Sequence, residues 1–124
     1  MSPRALRIPS PVMRLGLHAA RPVILSPRVS LATRRRLVDA LTRVARAPRG
    51  TSCRRDTLGG VPCETAMPPG PSNNLTLLYL HGGGYALGSA RAYRGFAAQL
   101  AAASGANAVV PDYRLSPEHP YPAA

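Results

Sequence analysis

An apolar run from Leu75 to Leu80 that ends on His81 and three consecutive glycines, Gly82 to Gly84, is the feature that most narrows what this chain can fold into. The run lies between turn-forming residues, Pro71 to Asn74, and the glycine cluster, and it has the length of a buried strand. Downstream, Tyr93, Phe96, Ala97, Leu100 and Ala101 recur at i, i+3, i+4, i+7 and i+8, the spacing of one helix face. Ser89 is placed to cap that helix, and Gly105 to close it in a left-handed conformation. A second strand is predicted from Ala106 to about Pro111. A strand, loop, helix, strand unit makes a right-handed crossover between parallel strands, so the expected architecture is α/β, a parallel sheet with flanking helices.

The loop His81-Gly82-Gly83-Gly84-Tyr85 then falls at the C-terminal end of a parallel strand, where open α/β sheets place their ligands. Consecutive glycines let the backbone approach a bound group closely and aim its N–H groups at negative charge. Two anions suit such a loop: a phosphate, or the oxyanion of a tetrahedral acyl-transfer intermediate. The sequence has neither G-x-x-x-x-G-K-[ST] nor G-x-G-x-x-G, and a histidine precedes the glycines, which favours the oxyanion.

His81 to Tyr85, together with Asp112-Tyr113-Arg114-Leu115-Ser116-Pro117-Glu118 and Tyr121-Pro122-Ala123-Ala124, resembles the hormone-sensitive-lipase branch (family IV) of the α/β-hydrolases. The similarity runs from about Leu75 to Ala124, with a looser likeness of the upstream helix to that family's cap. It implies a partial α/β-hydrolase fold preceded by an N-terminal helical cap segment, and a serine carboxylesterase or lipase acting on a small-molecule acyl ester. It further implies that the N–H groups of Gly83 and Gly84 form most of the oxyanion hole, a third donor coming from the residue after the nucleophile. Gly82 would shape the turn, His81 would brace the loop by hydrogen bonding, and Tyr85 would wall the pocket. Asp112, Arg114 and Glu118 are expected to form a structural charge network. His119 is not the catalytic base, because this fold presents its triad in the order serine, acid, histidine. No G-x-S-x-G occurs in the 124 residues, and Ser89 and Ser104 lack flanking glycines. The nucleophile and triad are therefore not present in this chain, which is expected to be the N-terminal part of such an enzyme and inactive by itself.

Upstream, the proline-punctuated residues 1 to 30 read as an irregular basic lead-in. From Leu31 to Ala47, Leu37, Val38, Leu41, Val44 and Ala45 keep helical spacing, with Ser30 as N-cap and Pro48 and Gly50 as stops. Arg34, Arg35, Arg43 and Arg46 lie on the other face, which reads as solvated. The domain reading is thus a lead-in over 1–30, a cap-like helix and linker over 31–55, and a hydrolase core over 56–124, with its first strands near Thr57 and from Val61 to Ala66.

The formal charge of +11 is concentrated in the first half: residues 1 to 55 hold thirteen arginines against Asp39 alone, while residues 56 to 124 are close to neutral. That near-neutral core is not a phosphate-binding surface, and no nucleic-acid partner is expected. Two cysteines, Cys53 and Cys63, exclude a four-cysteine zinc site; they read as unpaired thiols, with a single disulfide left open. No metal or cofactor is called for. The longest charge-free run, Thr65 to Ala90, is too broken by proline and glycine to span a membrane. With no secretory signal pattern, the expected location is cytoplasmic. Two other readings stay open: a non-catalytic ligand-binding protein on the same scaffold, and a basic nucleic-acid or membrane-surface binder acting through residues 1–55.

Overall fold

A computed structural model describes residues 10–70 and 74–124. Residues 1–9 of the lead-in and 71–73 of the turn before the glycine-loop strand lie outside the described residues. Seven elements follow in order: α1 (Ser10–Leu25), α2 (Leu31–Thr42), β1 (Ser52–Leu58), β2 (Val61–Met67), β3 (Thr76–Leu78), α3 (Ala90–Ser104) and β4 (Asn107–Pro111).

The first correction concerns the lead-in, much of which is helix α1 rather than irregular chain. Its prolines do not prevent this. Pro11 sits in the first turn, where an N–H has no intrahelical partner to lose, and Pro22 removes a single bond near the C-terminal end. Helix α2 starts as expected, with the Ser30 side chain accepting from the Thr33 amide, but it stops at Thr42 rather than Ala47. There the Thr42 hydroxyl turns back onto the carbonyls of Val38 and Asp39. The following segment runs against α3, and Gln99 Nε2 donates to the Arg46 carbonyl at 2.7 Å.

The sheet is four-stranded with order β1-β2-β4-β3. Its pairing corrects the expectation of a parallel sheet: β3 and β4 are parallel, while β1–β2 and β2–β4 are antiparallel. The antiparallel half is a hairpin turning at Gly59 and Gly60, a local connection that needs no crossover. Because β1 begins at Ser52, a boundary between 55 and 56 would cut through a strand. Strand β3 is shorter than Leu75 to Leu80, although the Asn107 amide still donates to the Leu75 carbonyl and the Tyr79 amide to the Val109 carbonyl. Cys53 faces Ala66 across the hairpin and Cys63 faces Asp56. Three positions of offset correspond to roughly 10 Å along the ladder, too far for a disulfide, and both thiols are free.

Helix α3 is capped by the Ser89 side chain, which accepts from the Ala92 amide, and it closes at Gly105 with φ of 65°. The face it buries is narrower than the apolar spacing predicted. Ala97, Ala98 and Ala101 are fully buried against Ala66, Ala108 and Val110, whereas Phe96 and Leu100 are partly exposed. Small residues on both the helix and the sheet let their backbones approach closely, which leaves no room for larger side chains along the central seam. Glu64 on β2 is buried beneath this helix and paired with Arg94 at 2.6 Å and Arg55 at 3.2 Å.

Candidate active site

The glycine loop leaves the C-terminal end of β3 and enters α3 through a tight turn. Gly83 has φ of 133° and Gly84 of 61°, both on the positive side that favours glycine. Crowding distinguishes the two: a Cβ on Gly83 would lie 2.1 Å from the Leu87 carbonyl oxygen, whereas one on Gly84 would meet nothing within 4 Å. Tyr85 follows with φ of 58°, and its carbonyl accepts from the Ser116 amide at 2.7 Å.

Each peptide plane carries a C=O and the next residue's N–H pointing in opposite directions, so fixing one aims the other. The Gly83 carbonyl accepts from the amides of Ala86 at 3.2 Å and Leu87 at 3.0 Å. The Gly84 N–H therefore points away from the turn. The Gly82 carbonyl contacts His81 Nδ1 at 3.0 Å, and a carbonyl only accepts, so Nδ1 carries the proton of this bond. That contact in turn aims the Gly83 N–H. Among the described residues, neither the Gly83 nor the Gly84 amide donates an intramolecular hydrogen bond.

His81 is buried and stacked between Tyr93 and Tyr113, with ring centroids 5.4 Å and 4.4 Å away. The Tyr113 hydroxyl donates to the His81 carbonyl, and its oxygen lies 3.3 Å from Nδ1. Burial pushes the Tyr93 and Tyr113 hydroxyls above the usual phenol range, keeping Tyr113 a neutral donor. Gly88 closes the other side, because a Cβ there would lie 2.8 Å from His81 Nδ1.

The residues of the expected charge network are separated rather than joined. The Asp112 carboxylate accepts from the Ala90 amide at 2.9 Å, in the first turn of α3. Glu118 pairs with Arg35, and Arg114 has no hydrogen bond or ion pair among the described residues. Tyr85, expected as a pocket wall, is largely exposed and does not line the adjoining cleft. That cleft, about 460 Å³, lies between the end of α1, the start of α2 and the glycine loop, and its walls include Ile24, Leu25, Leu31, Arg34, Gly83 and Leu87. Its volume falls within the ordinary range for small-molecule sites.

Arg35 was placed on a solvated face by the sequence, and the structure moves it to the centre of the site. Its Nε donates to the Ala86 carbonyl at 2.8 Å, one Nη to the Ser116 carbonyl at 3.0 Å, and both Nη atoms hold the Glu118 carboxylate at 2.7 and 2.8 Å. The hydrogen bonds from Arg35 hold the Glu118 carboxyl down to about 2, and Glu118 raises the Arg35 guanidinium in return. One helix turn of apolar spacing gave no signal for this, because the partners lie 51 to 83 residues downstream. Asp39, four residues further along α2, accepts from the Ser89 hydroxyl at 2.9 Å and joins the same helix to the cap of α3.

Residues 77–124 match the family model described as the alpha/beta hydrolase fold. LipR of Mycobacterium tuberculosis, named as an acetyl-hydrolase, is 53% identical over 91% of this chain and 37% of its own length. Carboxylesterase NlhH of the same organism is 42% identical over 55% of this chain and 22% of its own. A crystal structure of an esterase from the bacterial hormone-sensitive lipase family superposes with a TM-score of 0.77 at 33% identity, covering 94% of this chain and 39% of that one. The chain thus spans a little over a third of the length of the relatives that match it over most of its residues. The shared fold, the glycine loop and the identity to LipR agree: the chain belongs to the hormone-sensitive-lipase type of the α/β-hydrolases.

Proposed function

We propose that this chain supplies the oxyanion hole and part of the substrate cleft of a serine carboxylic-ester hydrolase. The observation that carries the reading is the pair of undonated amides at Gly83 and Gly84, each aimed outward by a carbonyl held on the opposite side of its peptide plane. Preset donors of this kind stabilise the charge that develops on a carbonyl oxygen as it becomes tetrahedral, and they need no reorganisation during the reaction. Gly82 shapes the turn through the carbonyl that His81 holds. His81 acts as a brace rather than as an acid or base, since its ring is enclosed by two tyrosines and its Nδ1 proton is committed to the loop. The apolar walls contributed by α1 and α2 suit an acyl chain, which supports assigning these helices to a cap.

The substrate class is a small-molecule acyl ester. The names of the relatives, acetyl-hydrolase and carboxylesterase, support it. With no G-x-S-x-G in its sequence, the chain assayed by itself should not turn over an ester. The proposed location is the cytoplasm, supported by two free thiols. Among the described residues, no helix is long and apolar enough to cross a membrane.

A chimera tests the reading. Residues 75–124 replace the corresponding stretch of carboxylesterase NlhH, and hydrolysis of p-nitrophenyl acetate is measured. Turnover is expected to survive the exchange and to fall by roughly 10² to 10³ when Gly83→Ala displaces the loop. A folded chimera that hydrolyses nothing, or one indifferent to Gly83→Ala, removes the assignment.

A further inference from the structure

We infer that Arg35 is a positioning residue: it couples the cap-side helix α2 to the oxyanion loop by holding the carbonyls that set the direction of the Gly84 N–H. The inference rests on the reading of Gly83 and Gly84 as an oxyanion hole, and it adds what keeps that hole in shape.

The coupling follows peptide plane by peptide plane. The Gly84 N–H is aimed by the Gly83 carbonyl, which is held by the amides of Ala86 and Leu87. Those two amides are aimed in turn by the carbonyls in their own planes, Tyr85 and Ala86. Arg35 Nε–H donates directly to the Ala86 carbonyl at 2.8 Å. The Tyr85 carbonyl accepts from the Ser116 amide at 2.7 Å, and the Ser116 carbonyl accepts from Arg35 at 3.0 Å. One guanidinium thus reaches the Ala86–Leu87 plane directly and the Tyr85–Ala86 plane through Ser116, whose amide and carbonyl lie in successive peptide planes joined at its Cα.

Glu118 fixes the guanidinium itself. A bidentate carboxylate occupies the two Nη positions at 2.7 and 2.8 Å, which orients the planar fork so that Nε–H faces Ala86. Lysine has no equivalent, since a single ammonium on a flexible stem cannot hold four acceptor oxygens around one plane. Arg35 lies on α2, a helix with no fully buried residue, so a shift of α2 is transmitted to the loop through this side chain. The same helix lines the cleft next to Gly83 through Leu31 and Arg34. Occupancy of the cleft and alignment of the Gly84 N–H are consequently linked through one rigid element.

The test is amide exchange and chemical shift on the full ¹⁵N-labelled chain, comparing wild type with Arg35→Met, Arg35→Lys and Glu118→Gln. Arg35→Met should speed exchange of the Leu87 amide roughly tenfold relative to that of Val110 in β4, and should shift the Gly84 resonance. Glu118→Gln should give a smaller rise, because the Ala86 bond survives. Arg35→Lys, which keeps the charge and most of the bulk, should resemble Met rather than wild type. The inference is overturned if Leu87 exchanges at the wild-type rate in both Arg35 variants, or if Leu87 and Val110 accelerate together. Titrating the wild-type chain with sodium acetate separates the two ideas: failure to move the Gly83 and Gly84 amides removes the oxyanion-hole reading, while the exchange rates still decide the role of Arg35.

Discussion

Helices α3 and α2 both pack beside the glycine loop, and they are held there by opposite means. Helix α3 buries Ala90, Ala92, Ala97, Ala98 and Ala101, four of them in one cluster with Ala66, Ala108 and Val110 of the sheet. Helix α2 buries none of its residues and is fastened instead by Arg35 and Asp39, whose side chains reach Ala86, Ser116, Glu118 and Ser89. Helix α1, beyond it, leaves Leu15 72% and Leu17 58% exposed. Apolar packing is short-ranged and tolerates little displacement, while a few charge-assisted hydrogen bonds fix direction at small cost in mobility. The helix behind the loop is thus a rigid support, and the helix in front of it is a directed tether.

The contrast can be broken most severely at Gly95, where α3 meets the segment that follows α2. A Cβ there would lie 1.9 Å from the Ala45 carbonyl oxygen. Gly95→Ala should lower stability by about 3 kcal/mol in urea titrations followed by circular dichroism, despite the better helix propensity of alanine. Next comes Arg94→Met, which leaves Glu64 buried with only the more exposed Arg55 at 3.2 Å; a loss of about 2 kcal/mol is expected from the same measurement. Ser89→Ala removes the cap of α3 and its bond to Asp39 and should cost about 1 kcal/mol. A loss no larger than at an exposed serine would show that α3 needs no cap.

The tether is probed by acid. Glu118 is held down to about 2 in the folded chain from an ordinary value of 4.5, so the stability it contributes is complete above 4.5 and is lost as pH falls toward 2. A carbon-13 titration of the Glu118 carboxyl should give a midpoint near 2 in wild type and return to the ordinary carboxylate range in Arg35→Met. An ordinary midpoint in wild type would break the tether model. The smallest effect belongs to α1: Leu15→Ser should change stability by about 0.5 kcal/mol or less, and a larger loss would mean that this helix packs more firmly than its exposure indicates.

Much of the loop is legible in the sequence. The alternation of strand, glycines and helix located β3, α3 and β4, and Ser89 and Gly105 were identifiable as caps because capping depends on neighbours within one turn. The helix face was less well read, since spacing marks Phe96 and Leu100 as apolar but not how close the sheet comes. The antiparallel half of the sheet was also missed, because β2–β4 pairing joins Ala66 to Ala108 across more than forty residues of chain.

By itself, the sequence determined where the backbone must bend and where its amides become available, because glycine conformation and helix capping are local properties of the chain. Only the tertiary structure decided what holds those amides in direction. The Arg35 guanidinium meets Ala86, Ser116 and Glu118 through distances in sequence that no periodicity spans, and a hydrogen bond of 2.8 Å exists only when the fold has brought its two ends together.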